Sequence, residues 1–101
     1  MRANQSERLR RSKEFEVSRS RWRVDQIGMM IAEFDQLCID LGHQIAAEEM
    51  RARCYDPTHF AYPTFAKATR ERRAKVQRSA DALRIEFHKE ANEAPNRQVA
   101  A

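Results

Sequence analysis

From Val17 onward the apolar residues recur every seven positions. Val17, Val24, Ile31, Cys38 and Ile45 stand in one line, and Ile27, Phe34 and Leu41 follow three residues behind Val24, Ile31 and Cys38. This is an a/d heptad seam sustained over four heptads, and such a seam buries a narrow stripe between helices rather than a round core. Met30 and Leu37 widen the stripe at g, while Ser20 and Glu48 weaken its two ends at d. With 42% apolar and 34% charged residues, two Gly and three Pro, the chain has little punctuation for turns and much material for long helices.

Ser6 can serve as N-cap, so the pattern predicts a first helix over about 7–53, a rod of roughly 70 Å. A helix of that length needs a partner. Asp56, Pro57, Thr58 and Pro63 concentrate the turn signals of the chain in a connection over 54–63, where it must reverse. Asp56 before Pro57 has the form of an N-cap followed by proline at the first helical position, which allows one short helical turn inside the connection. A second helix is expected over about 64–94, with Thr69, Val76 and Leu83 at a and Ala66, Ala80 and Phe87 at d, stopped by Pro95. A frayed tail is expected over 95–101. The expectation is therefore an all-α chain, one domain over 1–101, folded as a two-helix antiparallel coiled-coil hairpin with a longer first helix.

Charge points to the same reversal. Residues 24–50 hold six acids and no Lys or Arg, whereas residues 63–78 hold six bases and the single acid Glu71. Folding near residue 58 sets these blocks side by side, in a register whose facing positions sum to roughly 117, with Ile45 near Arg72, Cys38 near Ser79 and Ile31 near Glu86. The second helix then covers the first back to about Val24. Residues 1–23 remain without a partner inside the chain, and they carry eight bases and three acids.

That basic arm reads in three ways: a solvated helix end, a docking segment for an acidic protein surface, or a contact for nucleic-acid phosphates. Its candidate partner-binding residues are Arg8, Arg10, Arg11 and Lys13. Leu9, Phe15 and Val17 form no strong stripe, and Trp22 stands among arginines, too isolated for a stacking platform. Tyr55, Phe60, Tyr62 and Phe65 cluster near the reversal, either capping the end of the hairpin or offering one or two rings to a partner; Phe60 and Tyr62 are the candidates. Gly28 and Gly42 both fall at e, where each costs about 1 kcal/mol relative to Ala inside a helix; the reason is either close approach of a neighbouring helix or partner, or tolerated drift in a long helix.

No catalytic, cofactor-binding or metal-ligating set is expected. His43, His59 and His88 have no second ligand at helical spacing, Glu48 and Glu49 are adjacent and diverge around the helix, and no glycine-rich phosphate loop or Ser/His/Asp arrangement is present. Cys38 and Cys54 read as reduced thiols, Cys38 in the seam. The longest apolar run, Met29 to Ala32, is far short of the roughly 18 residues of a membrane span, and the arginines at the start precede no apolar segment of a secretory signal. The expected location is the cytoplasm.

Particular residues go beyond a generic coiled coil. The run Asp56-Pro57-Thr58-His59-Phe60-Ala61-Tyr62-Pro63-Thr64-Phe65-Ala66-Lys67-Ala68, with Met30-Ile31-Ala32-Glu33-Phe34, Arg78-Ser79-Ala80-Asp81 and, more weakly, Phe15-Glu16-Val17, resembles the flagellar export protein FliJ family in its alphaproteobacterial form. The likeness spans about residues 9–87. It implies a non-enzymatic, two-helix antiparallel coiled coil of the flagellar type III export apparatus, peripheral at the base of the flagellum and similar to the stalk subunit of rotary ATPases. The partners it implies are the export ATPase, the cytoplasmic part of the membrane export gate and the export chaperones. The family's second helix runs further than Pro95 allows, so the resemblance implies a chain shortened at its C-terminus. A generic coiled-coil scaffold and a nucleic-acid-binding helical protein are the alternatives.

Overall fold

The computed structural model describes residues 2–93 and consists of two helices, α1 (Arg2–Ala52) and α2 (Thr64–Glu93), packed antiparallel as a rod of 78 × 19 × 17 Å. α1 alone sets the length, because 51 residues at 1.5 Å each span about 76 Å. The expected all-α hairpin with a longer first helix is the architecture found. The expected stop at Pro95 and the tail after it lie outside the described residues.

The residues read as seam in the sequence are all buried or half-buried, Ala66 and Thr69 among the buried. Cys38, Leu41, Ile45 and Ala80 are buried, and Val17, Val24, Ile27, Ile31, Phe34, Val76, Leu83 and Phe87 are half-buried. A single partner helix covers only one side of each seam residue, so full burial is confined to the closed half. There Ala66 and Ala80 have no exposed surface and let the helices approach closely. The polar member of this core, Thr69, satisfies its hydroxyl on the Phe65 carbonyl one turn earlier, at 2.7 Å.

Four details depart from the sequence reading. α1 begins at Arg2 rather than near Glu7, because the Gln-, Glu-, Arg- and Lys-rich stretch around Ser6 favours helix and places Ser6 inside it instead of at its cap. The a and d letters of α2 are exchanged. An a residue precedes its d residue by three, so Ala66, Arg73, Ala80 and Phe87 hold a, and Thr69, Val76, Leu83 and Glu90 hold d. Arg73 is thereby a seam residue that an apolar count overlooks. Finally, α2 covers α1 further than Val24: Arg23 pairs with Glu90 at 3.6 Å, and Ser20 and Val17 are half-buried.

The register lies close to the expected one. Asp35 with Arg84 and Glu49 with Arg70 both sum to 119, Gly28 with Phe87 and Gly42 with Arg73 to 115, and Arg23 with Glu90 to 113. Charge contributes through fewer pairs than the two blocks suggested. Arg70 reaches Glu49 at 3.7 Å, while Lys67, Arg72, Lys75 and Arg78 are exposed. The tightest inter-helix pair uses a base outside the expected block, Arg84, whose Nη2 donates to Asp35 Oδ1 at 2.6 Å and also to Oδ2, while its Nη1 contacts Asp81 at 3.2 Å. The hydrogen bond that Arg84 donates to the Asp35 carboxylate holds its guanidinium above its ordinary pKa.

α1 ends in a Schellman turn. The Arg53 amide donates to the Met50 carbonyl and the Cys54 amide to the Glu49 carbonyl, with Arg53 at φ 53°, in the left-handed region that glycine usually fills. The connection forms two successive β-turns, His59 N–H to Asp56 carbonyl at 3.0 Å and Tyr62 N–H to His59 carbonyl at 3.1 Å, rather than a helical turn. The Asp56 side chain is the reason: Oδ1 accepts from the Thr58 amide at 2.9 Å and the Thr58 hydroxyl at 2.7 Å, closing an Asx turn that competes with helix. The Pro63 carbonyl then takes the first α2 bond, from the Lys67 amide at 3.0 Å.

Candidate interaction surfaces

The basic arm is a bare extension of α1. Residues 4–16 are exposed throughout, so among the described residues the stretch without a partner is shorter than the 1–23 expected from sequence. Counting back from Val17, the a and d positions of the arm are Ala3, Ser6, Arg10 and Lys13. The seam line thus turns from apolar to basic beyond the half-buried Val17. Of the four candidate residues, Arg10 and Lys13 continue the seam face, whereas Arg8 at f and Arg11 at b stand on the far side. Arg10 lies 4.0 Å from Glu14 one turn on, a largely exposed pair that holds it weakly. A helix surface of this kind suits an acidic partner rather than an apolar one.

At the closed end the aromatic residues separate into one anchor and an exposed set. Tyr62 is 8% exposed, packs back onto α1 and donates its hydroxyl to Glu49 Oε2 at 2.9 Å, where Arg70 also reaches. Burial, reinforced by the Glu49 carboxylate, raises the pKa of its phenol above the ordinary value of 10.0. Tyr62 is therefore no partner-binding ring but the clamp that fixes the connection to α1. Phe60 is its opposite, 95% exposed and stacked on the His59 ring with centroids 4.5 Å apart. His59 is held in turn, its Nδ1 accepting from the Ala61 amide at 3.0 Å.

Tyr55, Phe65 and Met50 are also exposed, so the expectation that this cluster caps the hairpin holds for Tyr62 alone. Their exposure could not be read from sequence, because the turn geometry decides which ring folds inward. Beneath them, the Thr58 hydroxyl and then the Thr58 amide hold the Asp56 carboxyl below its ordinary range, keeping it ionised at the tip.

Along the rod, a groove lined by Ile45, Arg70, Arg73, Ala74, Gln77 and Arg78 offers a second basic surface. At the open end a shallow depression is walled by Glu16, Arg19, Arg23, Glu90 and Glu93. Among the described residues, no three His, Cys, Asp or Glu side chains converge as metal ligands, and no helix is long and apolar enough to cross a membrane. Cys38 and Cys54 are free thiols.

Fold and surfaces together define a two-helix, all-α hairpin with a hydrogen-bonded turn at one end and an exposed basic helix at the other. Comparison with protein-family models, with curated proteins and with solved structures returns no match.

Proposed function

We propose that the chain is a non-enzymatic coupling component of a flagellar type III protein export apparatus. It binds the export ATPase, the cytoplasmic part of the membrane export gate and the export chaperones, at the cytoplasmic base of the flagellum. The observation that carries this reading is the segment Asp56–Ala68. It bears the strongest part of the resemblance and forms the closed end of an unequal antiparallel hairpin, the shape which that resemblance implies. The rod supplies long helical faces for macromolecular contact, and its arm supplies Arg10 and Lys13 along one face and Arg8 and Arg11 along the other.

In this reading Phe60 is the exposed contact of the tip, while Tyr62 and Asp56 hold the tip in shape. Protein contacts anchored by an exposed aromatic ring and by arginines are the energetically favoured kind. The test is genetic and biochemical together. Deletion of the gene abolishes or impairs swimming, and the tagged chain captures the export ATPase from flagellated cells. Normal motility with no ATPase captured overturns the proposal. A mobility shift on nucleic acid that weakens steeply with salt would favour the nucleic-acid reading instead.

A further inference from the structure

The face of α1 opposite the seam carries an apolar line of its own. Heptad position f is held by Arg8, Phe15, Trp22, Met29 and Gln36, and the three apolar members are 65%, 63% and 58% exposed. Single exposed apolar side chains are ordinary on a protein surface. Three in register, covering about 21 Å of one helix on the side away from α2, form a stripe of the kind that packs against another helix.

We propose that the occupant of this stripe is a second copy of the chain, joined antiparallel about a two-fold axis at Trp22. In that arrangement Trp22 meets its counterpart, and Phe15 faces Met29 of the second copy. Charge selects both the orientation and the occupant. Residues 8–21 carry Arg8, Arg10, Arg11, Lys13, Arg19 and Arg21 against Glu14 and Glu16, whereas residues 24–36 carry Asp25, Glu33 and Asp35, the last paired with Arg84, and no base; Arg23 between the two stretches is paired with Glu90 of its own chain.

An antiparallel pairing sets the basic stretch of each copy along the acidic stretch of the other; a parallel one sets base on base. An anionic membrane is the poorer occupant, since Asp25 and Glu33 flank Met29 and would be pressed onto like charge. α2 lies on the seam side of α1 in both copies, so it does not obstruct the contact. Six partly exposed large side chains with their flanks hide on the order of 1,000 Å², the low end of specific interfaces. The pairing requires none of the export partners.

The chain has one tryptophan, so its fluorescence reports the axis directly. Across roughly 1–100 µM the sedimentation-equilibrium mass is expected to rise from 11.9 kDa toward twice that value, with a blue shift of Trp22 emission. Trp22→Glu, on an exposed position that leaves the hairpin's helicity intact, weakens the association at least about tenfold. Two charge variants complete the test. Arg11→Glu/Arg19→Glu sets acid opposite Glu33 and Asp25 of the second copy, and Asp25→Lys/Glu33→Lys sets base opposite Arg19 and Arg11. Each stays monomeric alone, and an equimolar mixture of the two pairs. A chain that remains monomeric with unchanged emission overturns the inference, as does a dimer that survives Trp22→Glu, a mixture that fails to pair, or binding to phosphatidylserine vesicles without self-association.

Discussion

Gly42 and Arg73 face each other across the hairpin. A methyl group added at Gly42 would stand 3.6 Å from the Arg73 Nε, which donates to the Cys38 carbonyl at 2.9 Å. Two heptads away the arrangement recurs, with Gly28 against the Phe87 ring at 3.4 Å. Both glycines lie beside large side chains at a positions of α2, at distances where an added methyl group makes ordinary van der Waals contact, so close approach does not require glycine at either. At Gly42 the space left is ordinary van der Waals distance. Gly42→Ala is therefore expected to stabilise the hairpin by about 0.5–1 kcal/mol through helix propensity, read from the midpoint of urea unfolding. Gly42→Leu displaces Arg73 and is expected to fall below Gly42→Ala in the same measurement.

Arg53 closes α1 in a left-handed conformation that disfavours any residue with a Cβ. Arg53→Gly keeps the Schellman bonds and removes that strain, for an expected gain of about 1 kcal/mol in thermal unfolding. Arg53→Val, β-branched at the same φ, is expected to lower stability by at least as much.

Tyr62 gives the hairpin an alkaline limit. Its folded pKa is raised above the unfolded value near 10, so the neutral phenol's contribution is fully present below about pH 10 and is lost as pH rises through the folded value. In a Tyr55→Phe background the single remaining tyrosine is expected to ionise above 10 by ultraviolet titration, together with loss of helical ellipticity. Tyr62→Phe removes that transition.

Period and composition made most of the architecture legible. A seam of seven-residue spacing with scarce Gly and Pro leaves a long helix few alternatives to a hairpin, and every apolar seam residue named from the pattern is buried or half-buried. Arg73 was missed because an apolar count passes over a charged side chain, here an exposed one whose guanidinium bonds a carbonyl of the facing helix. The two rings proposed as tip contacts were inseparable in sequence. The Asx turn at Asp56 and the β-turn at His59 determine that Tyr62 turns inward onto Glu49 while Phe60 turns out. The stripe of Phe15, Trp22 and Met29 escaped notice because its members are seven apart on a face where polar residues are the rule.

The central claim, that the hairpin acts by binding an export partner through its bare basic arm, is tested most directly by titrating the purified chain with the purified flagellar export ATPase. The account predicts saturable binding that weakens with salt. Reversing Arg8, Arg10, Arg11 and Lys13 to Glu should abolish it, with hairpin stability changed by no more than about 0.5 kcal/mol, since these side chains are exposed. Absence of binding at concentrations of tens of micromolar, or binding indifferent to those four reversals, would contradict it.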